Sequence, residues 1–190
     1  VNPKGTRNSA QARLERAAHD ASSRPRDRGA QARLRRWAAE VAPESLDDEV
    51  CALTAAALAG IGDGPAALPF ALQAADAEAP QQERLARCMV VARALDASER
   101  ADEAAAWLLR ALSLGATSAR GTSLLDERMI DARDRLTELR LRGASFVEAA
   151  ALATENLAAV TRLGRRLDRA LAARVRQRYA LATLASGGEE

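Results

Sequence analysis

The chain has 190 residues, 48% hydrophobic and only 3% aromatic, with 28 basic and 26 acidic side chains for a net charge of +2. That much apolar surface excludes a wholly disordered chain and suffices for one sizeable domain or one short array. The near balance of charge gives little field to draw in a polyanion, so nucleic-acid binding ranks last among the functions considered.

Helical elements follow one another between punctuating residues. Asn8 or Ser9 can cap a first helix through about Ala21, and Ser22 to Gly29 turns the chain. A second helix runs from about Ala30 to Val41 and stops at Pro43. The third starts at Ser45 with Asp47, Asp48 and Glu49 in its first turn, where carboxylates complement the helix dipole, and ends at Gly60. Gly60, Gly62 and Gly64 form the next bend, and Pro65 opens a fourth helix to about Ala77, with Pro69 placed to distort it. Pro80 starts a fifth, to about Ala97, and a sixth spans about Asp102 to Leu114 before Gly115.

Ala116 to Thr122 reads as a loop. Helix seven then places Leu125, Met129, Ala132, Leu136 and Leu139 on one side and ends at Gly143. The last element starts near Ser145, carries Leu157, Val160, Leu163, Leu167 and Leu171, and is expected to run on to about Ala185 with Gly164 as its weakest point. Ala, Leu, Arg and Glu dominate while Val, Ile, Thr and Tyr are scarce, which favours helix over strand. The predicted class is all-α.

A period underlies this order. At a spacing of 37 residues, Leu14, Cys51 and Cys88 align, as do Ala18/Ala55/Ala92, Ala21/Leu58/Leu95, Ala30/Ala67/Ala104 and Leu34/Ala71/Leu108. A repeat in this range implies stacked helix pairs that bury a continuous core between neighbours and present a groove. The expected hairpins are about 9–42, 45–78, 80–115 and 122–157 in a single domain, 1–190, with the C-terminal helix extending to about 185.

The stretch Glu99-Arg100-Ala101-Asp102-Glu103-Ala104-Ala105-Ala106-Trp107-Leu108-Leu109-Arg110-Ala111-Leu112 resembles the second-helix motif of the tetratricopeptide family. Ala104, Leu108 and Ala111 match its small, large and small packing positions, and Cys88, Val91, Ala92 and Leu95 match the first helix. Departures are Ala71 at a large-residue position, Trp37 at a small one, and a period of 37 where the family has 34. The resemblance implies a short right-handed superhelical array that binds a protein or peptide on its concave face. By that resemblance the groove residues are Glu15, Arg16, His19, Met89, Arg93 and Asp96. The family's clamp for a peptide carboxylate is not implied, because Lys4 is the only lysine and the asparagines are Asn2, Asn8 and Asn156.

No reaction chemistry stands out. His19 is the only histidine, no phosphate-cradling glycine loop exists, and Cys51 and Cys88 align with Leu14 and so read as packing residues. Asp131, Asp134 and Glu138 fall near one face of helix seven, where ion pairs with the interleaved Arg133, Arg135 and Arg140 explain them more cheaply than a metal ion. No catalytic, metal or cofactor site is expected.

The final helix gathers Arg162, Arg165, Arg166, Arg169, Arg174, Arg176 and Arg178 around one acid, Asp168. Three roles are open to it: a polar cap, a homodimer contact through Leu157, Val160, Leu163 and Leu167, or an anion surface. Arginine in place of lysine fits a GC-rich bacterial genome. Two thiols, a polar Val1–Ala10 stretch and no membrane-length apolar run predict a cytoplasmic protein away from the membrane. The first functional expectation is a non-enzymatic scaffold or adaptor. The alternative is a regulatory, sensory or dimerisation module of a larger signalling or transcription protein.

Overall fold

The computed structural model describes residues 3–116 and 123–187, and among them all regular structure is helical. The elements are α1 (Pro3–Ser23), α2 (Arg28–Glu40), a 3-10 turn (Pro43–Ser45), α3 (Asp48–Gly60), α4 (Gly64–Asp76), α5 (Gln81–Asp96), α6 (Ala101–Ala116), α7 (Ser123–Arg142), α8 (Phe146–Leu163), a second 3-10 turn (Gly164–Arg166) and α9 (Arg169–Ser186). The all-α class therefore holds. Helix α1 begins at Pro3, ahead of the expected Asn8 or Ser9 cap. From residue 117 on, the expected loop before helix seven lies outside the described residues.

The chain divides into two compact units: Val1–Pro80 with Arg87–Ala104, and Gln81–Ala86 with Ala105–Glu190, so α5 and α6 contribute residues to both. The reading of 1–190 as one domain had no marker for this division. In the first unit α1 packs on α2 and on α3, and α3 packs on α4. In the second, α7, α8 and α9 all pack on one another.

The 37-residue period is a packing register. Leu14, Cys51 and Cys88 are buried, as is every member of the other four triples. Small residues at those sites let helices approach closely, and each substitution of size would be felt in so dense an interior.

The period extends to the backbone of the turns. Gly62 has φ of 78°, and the Asp63 N–H donates to the Leu58 carbonyl at 2.9 Å. At the same interval Glu99 has φ of 61°, and the Arg100 N–H donates to Leu95 at 2.9 Å. This is a left-handed helix stop, with the sixth N–H closing on the first carbonyl. The corresponding residue before α2 is Pro25, which is confined to negative φ. That turn relies instead on Asp27, whose carboxylate accepts from the Gly29 and Ala30 N–H groups at 2.8 and 3.1 Å. The hydrogen bonds from Ala30 and Gly29 hold the Asp27 carboxyl below its ordinary range.

The same stop recurs between α7 and α8, where Ala144 has φ of 57° and the Ser145 N–H donates to Arg140 at 2.8 Å. It comes 45 residues after Glu99. At that longer offset Val91 corresponds to Leu136, Ala92 to Thr137, Ala104 to Ala149, Leu108 to Ala153 and Ala111 to Asn156, and all ten are buried. The fourth hairpin thus keeps the register of the others behind a longer interval. Both polar side chains donate to backbone: the Thr137 hydroxyl to the Arg133 carbonyl of its own helix at 2.8 Å, and the Asn156 amide across to the Ile130 carbonyl of α7 at 3.0 Å, while the Asn156 Oδ1 is buried without a partner.

The expected single helix to about Ala185 is corrected by the structure. Helix α8 stops at Leu163 because Gly164 takes φ of 56° and ψ of −124°, a combination closed to residues with a Cβ. Asp168 then caps α9 by accepting the Leu171 N–H at 2.9 Å, and α9 folds back onto α8. The apolar stripe consequently faces inward. Val160 and Leu167 lie in a core with Ile130, Ala159, Leu171, Ala172 and Val175, Leu163 packs against it, and Leu157 is half-buried.

Candidate functional site

The six groove candidates all lie in the first unit. Glu15, Arg16 and His19 are exposed on α1, and His19 follows Glu15 by four residues and Arg16 by three, which sets it beside both on the helix surface. The Arg16 Nε donates to the Ala12 carbonyl at 3.1 Å, and the His19 backbone carbonyl accepts the Ser23 hydroxyl at 2.9 Å. Met89, Arg93 and Asp96 share a face of α5, each half-buried. The two triplets therefore differ in exposure, with α1 offering charge to solvent and α5 a mixed, partly covered strip.

Cys51 behaves as a packing residue. Its Sγ lies 3.4 Å from the Pro43 carbonyl oxygen, and burial first, then the carboxylates of Asp48, Asp47 and Glu44, push its thiol up to about 11. A thiol held neutral at pH 7 is a poor nucleophile. Cys88 is buried as well, while His19 is exposed on a different helix. Among the described residues no group of His, Cys, Asp and Glu is arranged to hold a metal ion, and no helix is long and apolar enough to cross a membrane.

The carboxylates of α7 do pair with arginines, but mostly across helices. Of Arg133, Arg135 and Arg140, Arg135 closes on its own helix, with Nε 3.2 Å from Asp131. Arg133 reaches Glu155 of α8 at 3.5 Å and Arg140 reaches Glu148 at 2.9 Å. Asp134, 1% exposed, accepts from Arg174 Nε at 2.6 Å and from Arg178 at 2.8 Å on α9. Arg178 also donates to the Asp134 carbonyl and to Glu138, each at 2.8 Å, and Arg174 pairs with Asp131. Two of the final helix's arginines are thus structural.

Sequence reasoning missed this network because its partners are some 40 residues apart and meet only after the chain reverses at Gly164. It also missed Arg87, a buried cation in the first unit whose guanidinium donates to the Ala74 carbonyl at 2.7 Å, near the C-terminal end of α4. That position suits a positive charge, since helix C-terminal carbonyls carry partial negative charge. Its sequence signal, one arginine inside an apolar stripe, is indistinguishable from a solvated position.

Both tryptophans carry arginine on their faces. Arg13 and Arg36 lie 5.3 and 5.0 Å from the Trp37 ring centre, and Arg110 lies 4.7 Å from that of Trp107. These contacts cover part of each ring without fully burying it. In the second unit, Val147, Leu181 and Leu184 are exposed, and Ala149, Ala153 and Ala182, near them in sequence, form a small core.

Comparison with family models, curated proteins and solved structures finds no match for this chain.

Proposed function

We propose that the chain is a non-enzymatic scaffold or adaptor that binds a protein or peptide segment, built in the manner of tetratricopeptide arrays, with Glu15, Arg16, His19, Met89, Arg93 and Asp96 as its contact residues. The observation that carries this reading is the register: the same buried positions and the same left-handed stops recur from hairpin to hairpin. Repeats of this kind fix a backbone with interchangeable small residues and leave outward faces free to vary, which is how such arrays come to bind segments of other proteins. A reducing, cytoplasmic setting belongs to the same reading and is supported by two cysteines serving as buried thiols.

The test is an affinity pull-down with the intact protein beside Arg16→Glu and Arg93→Glu, each variant first checked for an unchanged melting temperature. Loss of the same partner from both variants is the expected result. Retention of every partner by both would remove these residues from the interface.

A second reading, a dimerisation module, is favoured by one observation: Val147, Leu181 and Leu184 are 71%, 52% and 76% exposed. The dimer contact then lies at these three residues and not along the Leu157–Leu167 stripe. Sedimentation of Leu184→Glu tests it, and an unaltered mass from a dimeric parent would exclude that surface.

A further inference from the structure

Seven arginines follow Thr161, and the structure sets five of them in two groups. Arg174 and Arg178 point to α7 and are neutralised there by Asp131, Asp134 and Glu138. Arg165, Arg169 and Arg176 instead line a cavity of about 700 Å³ in the second unit, together with Gly164, Leu167 and Ala172. The spacing explains the convergence. Arg169, Ala172 and Arg176 recur at one and two turns along α9 and so share a face, while the 3-10 turn after Gly164 brings Arg165 to the same opening.

Among the described residues no carboxylate forms an ion pair with any of these three arginines. The nearest acid in sequence, Asp168, uses its carboxylate to accept the Leu171 N–H and cap α9. Three like charges around one concavity repel one another and cost stability, whereas a neighbouring face of the same helix shows that this fold can supply acids when an arginine is structural. The cavity also has an apolar side in Leu167 and Ala172, and Gly164 presents no side chain to narrow it: a Cβ placed there meets nothing within 4 Å.

We infer that this cavity is a seat for a polyphosphate-bearing small molecule of nucleotide size, its phosphates held by Arg165, Arg169 and Arg176 and its organic part resting on Leu167 and Ala172. Guanidinium groups suit phosphate because their planar fork donates two parallel hydrogen bonds to its oxygens. The volume is in the range of small-molecule pockets and accommodates a nucleoside triphosphate. This site is independent of the scaffold proposed above: it lies in the second unit, whereas the groove residues lie in the first.

The experiment is isothermal titration of the full chain with ATP and, separately, with inorganic pyrophosphate at low salt, beside the Arg169→Gln/Arg176→Gln double variant and an Arg26→Gln control. All three substituted arginines are exposed, so folding is expected to be preserved, and melting curves verify it. Both probes are expected to bind the parent and the control, ATP more tightly, with affinity falling about tenfold or more in the double variant. Equal affinity for pyrophosphate and ATP would overturn the apolar part of the seat. Failure of both probes to bind, or equal binding by the double variant, would overturn the site itself. Duplex DNA outcompeting ATP, with a steep fall in affinity as salt rises, would replace it with a nucleic-acid surface.

Discussion

The two units hold their helices together by different means. In the first, register comes from buried, mostly apolar positions: Leu14, Ala18 and Ala21 recur as Cys51, Ala55 and Leu58 at the same spacing, with polar links such as the buried Arg87 to the Ala74 carbonyl and the exposed Arg35 to Asp63, both at 2.7 Å. In the second, the hairpin keeps that register, and the third helix adds charge to its apolar core, through the buried Asp134 and its two arginines. Packing by volume tolerates exchange of one small apolar residue for another. Packing by buried charge does not, because removing one partner takes away hydrogen bonds to charged groups that an apolar residue cannot replace.

Asp134→Ala is the sharpest way to expose that contrast. It removes the buried carboxylate that Arg174 and Arg178 share, leaving them Asp131 and Glu138, and is expected to lower the unfolding free energy by about 2 to 3 kcal/mol in urea titration. An effect no larger than that of an exposed carboxylate would mean the second unit is held by its apolar core alone.

Close approach gives the next comparison. A Cβ on Gly64 would meet the Ala94 carbonyl oxygen and Ala97, which are backbone and short side chain, whereas on Gly115 it would meet the flexible end of Met129. Gly64→Ala is therefore expected to destabilise by about 2 kcal/mol and Gly115→Ala by clearly less, both read from thermal melts. Equal effects would show that Met129 is as constrained as backbone.

Turn strain comes third. Gly62 and Glu99 occupy the same left-handed stop in successive hairpins. Gly62→Ala is expected to cost about 1 kcal/mol and Glu99→Gly to gain a similar amount, since only the glycine adopts positive φ without steric penalty. Opposite signs from one structural position would establish that the stop, not the residue, is what repeats.

The smallest effect is on pH dependence. Because Cys51 is held neutral up to about 11, against an ordinary value of 9.0, its contribution to stability is complete below pH 9 and is lost as pH rises through 11. Cys51→Ala is expected to flatten that alkaline limb with little change in its slope at neutral pH. In the native state the Cys51 thiol should also resist alkylation.

How far these features were legible in the sequence follows the same division. The buried triples could be read directly because burial of apolar residues leaves a periodic trace, and helix ends followed from Gly60 and Gly143, whereas α6 runs through Gly115 to Ala116. The fourth hairpin was harder: its longer interval, and Thr137 and Asn156 in place of alanines, hid a register visible only once the Ala144 turn is seen. The stripe Val160, Leu163, Leu167 and Leu171 fits one continuous helix as well as it fits two, so Gly164 alone had to signal the break. Whether an arginine pairs, as Arg174 does, or stands at a cavity, as Arg176 does, depends on contacts tens of residues away and leaves no local mark.

The reversal at Gly164 also sets an order of events. Neither Arg174 nor Arg178 can meet Asp134 until the chain has turned twice, at Ala144 and again at Gly164, and each turn adds a loop whose closure costs entropy before the ion pairs repay it. Helix α9 is therefore expected to dock last and to open first. Amide hydrogen exchange should find it less protected than α8, and Gly164→Ala, which strains the reversal while leaving every core side chain in place, should widen that gap.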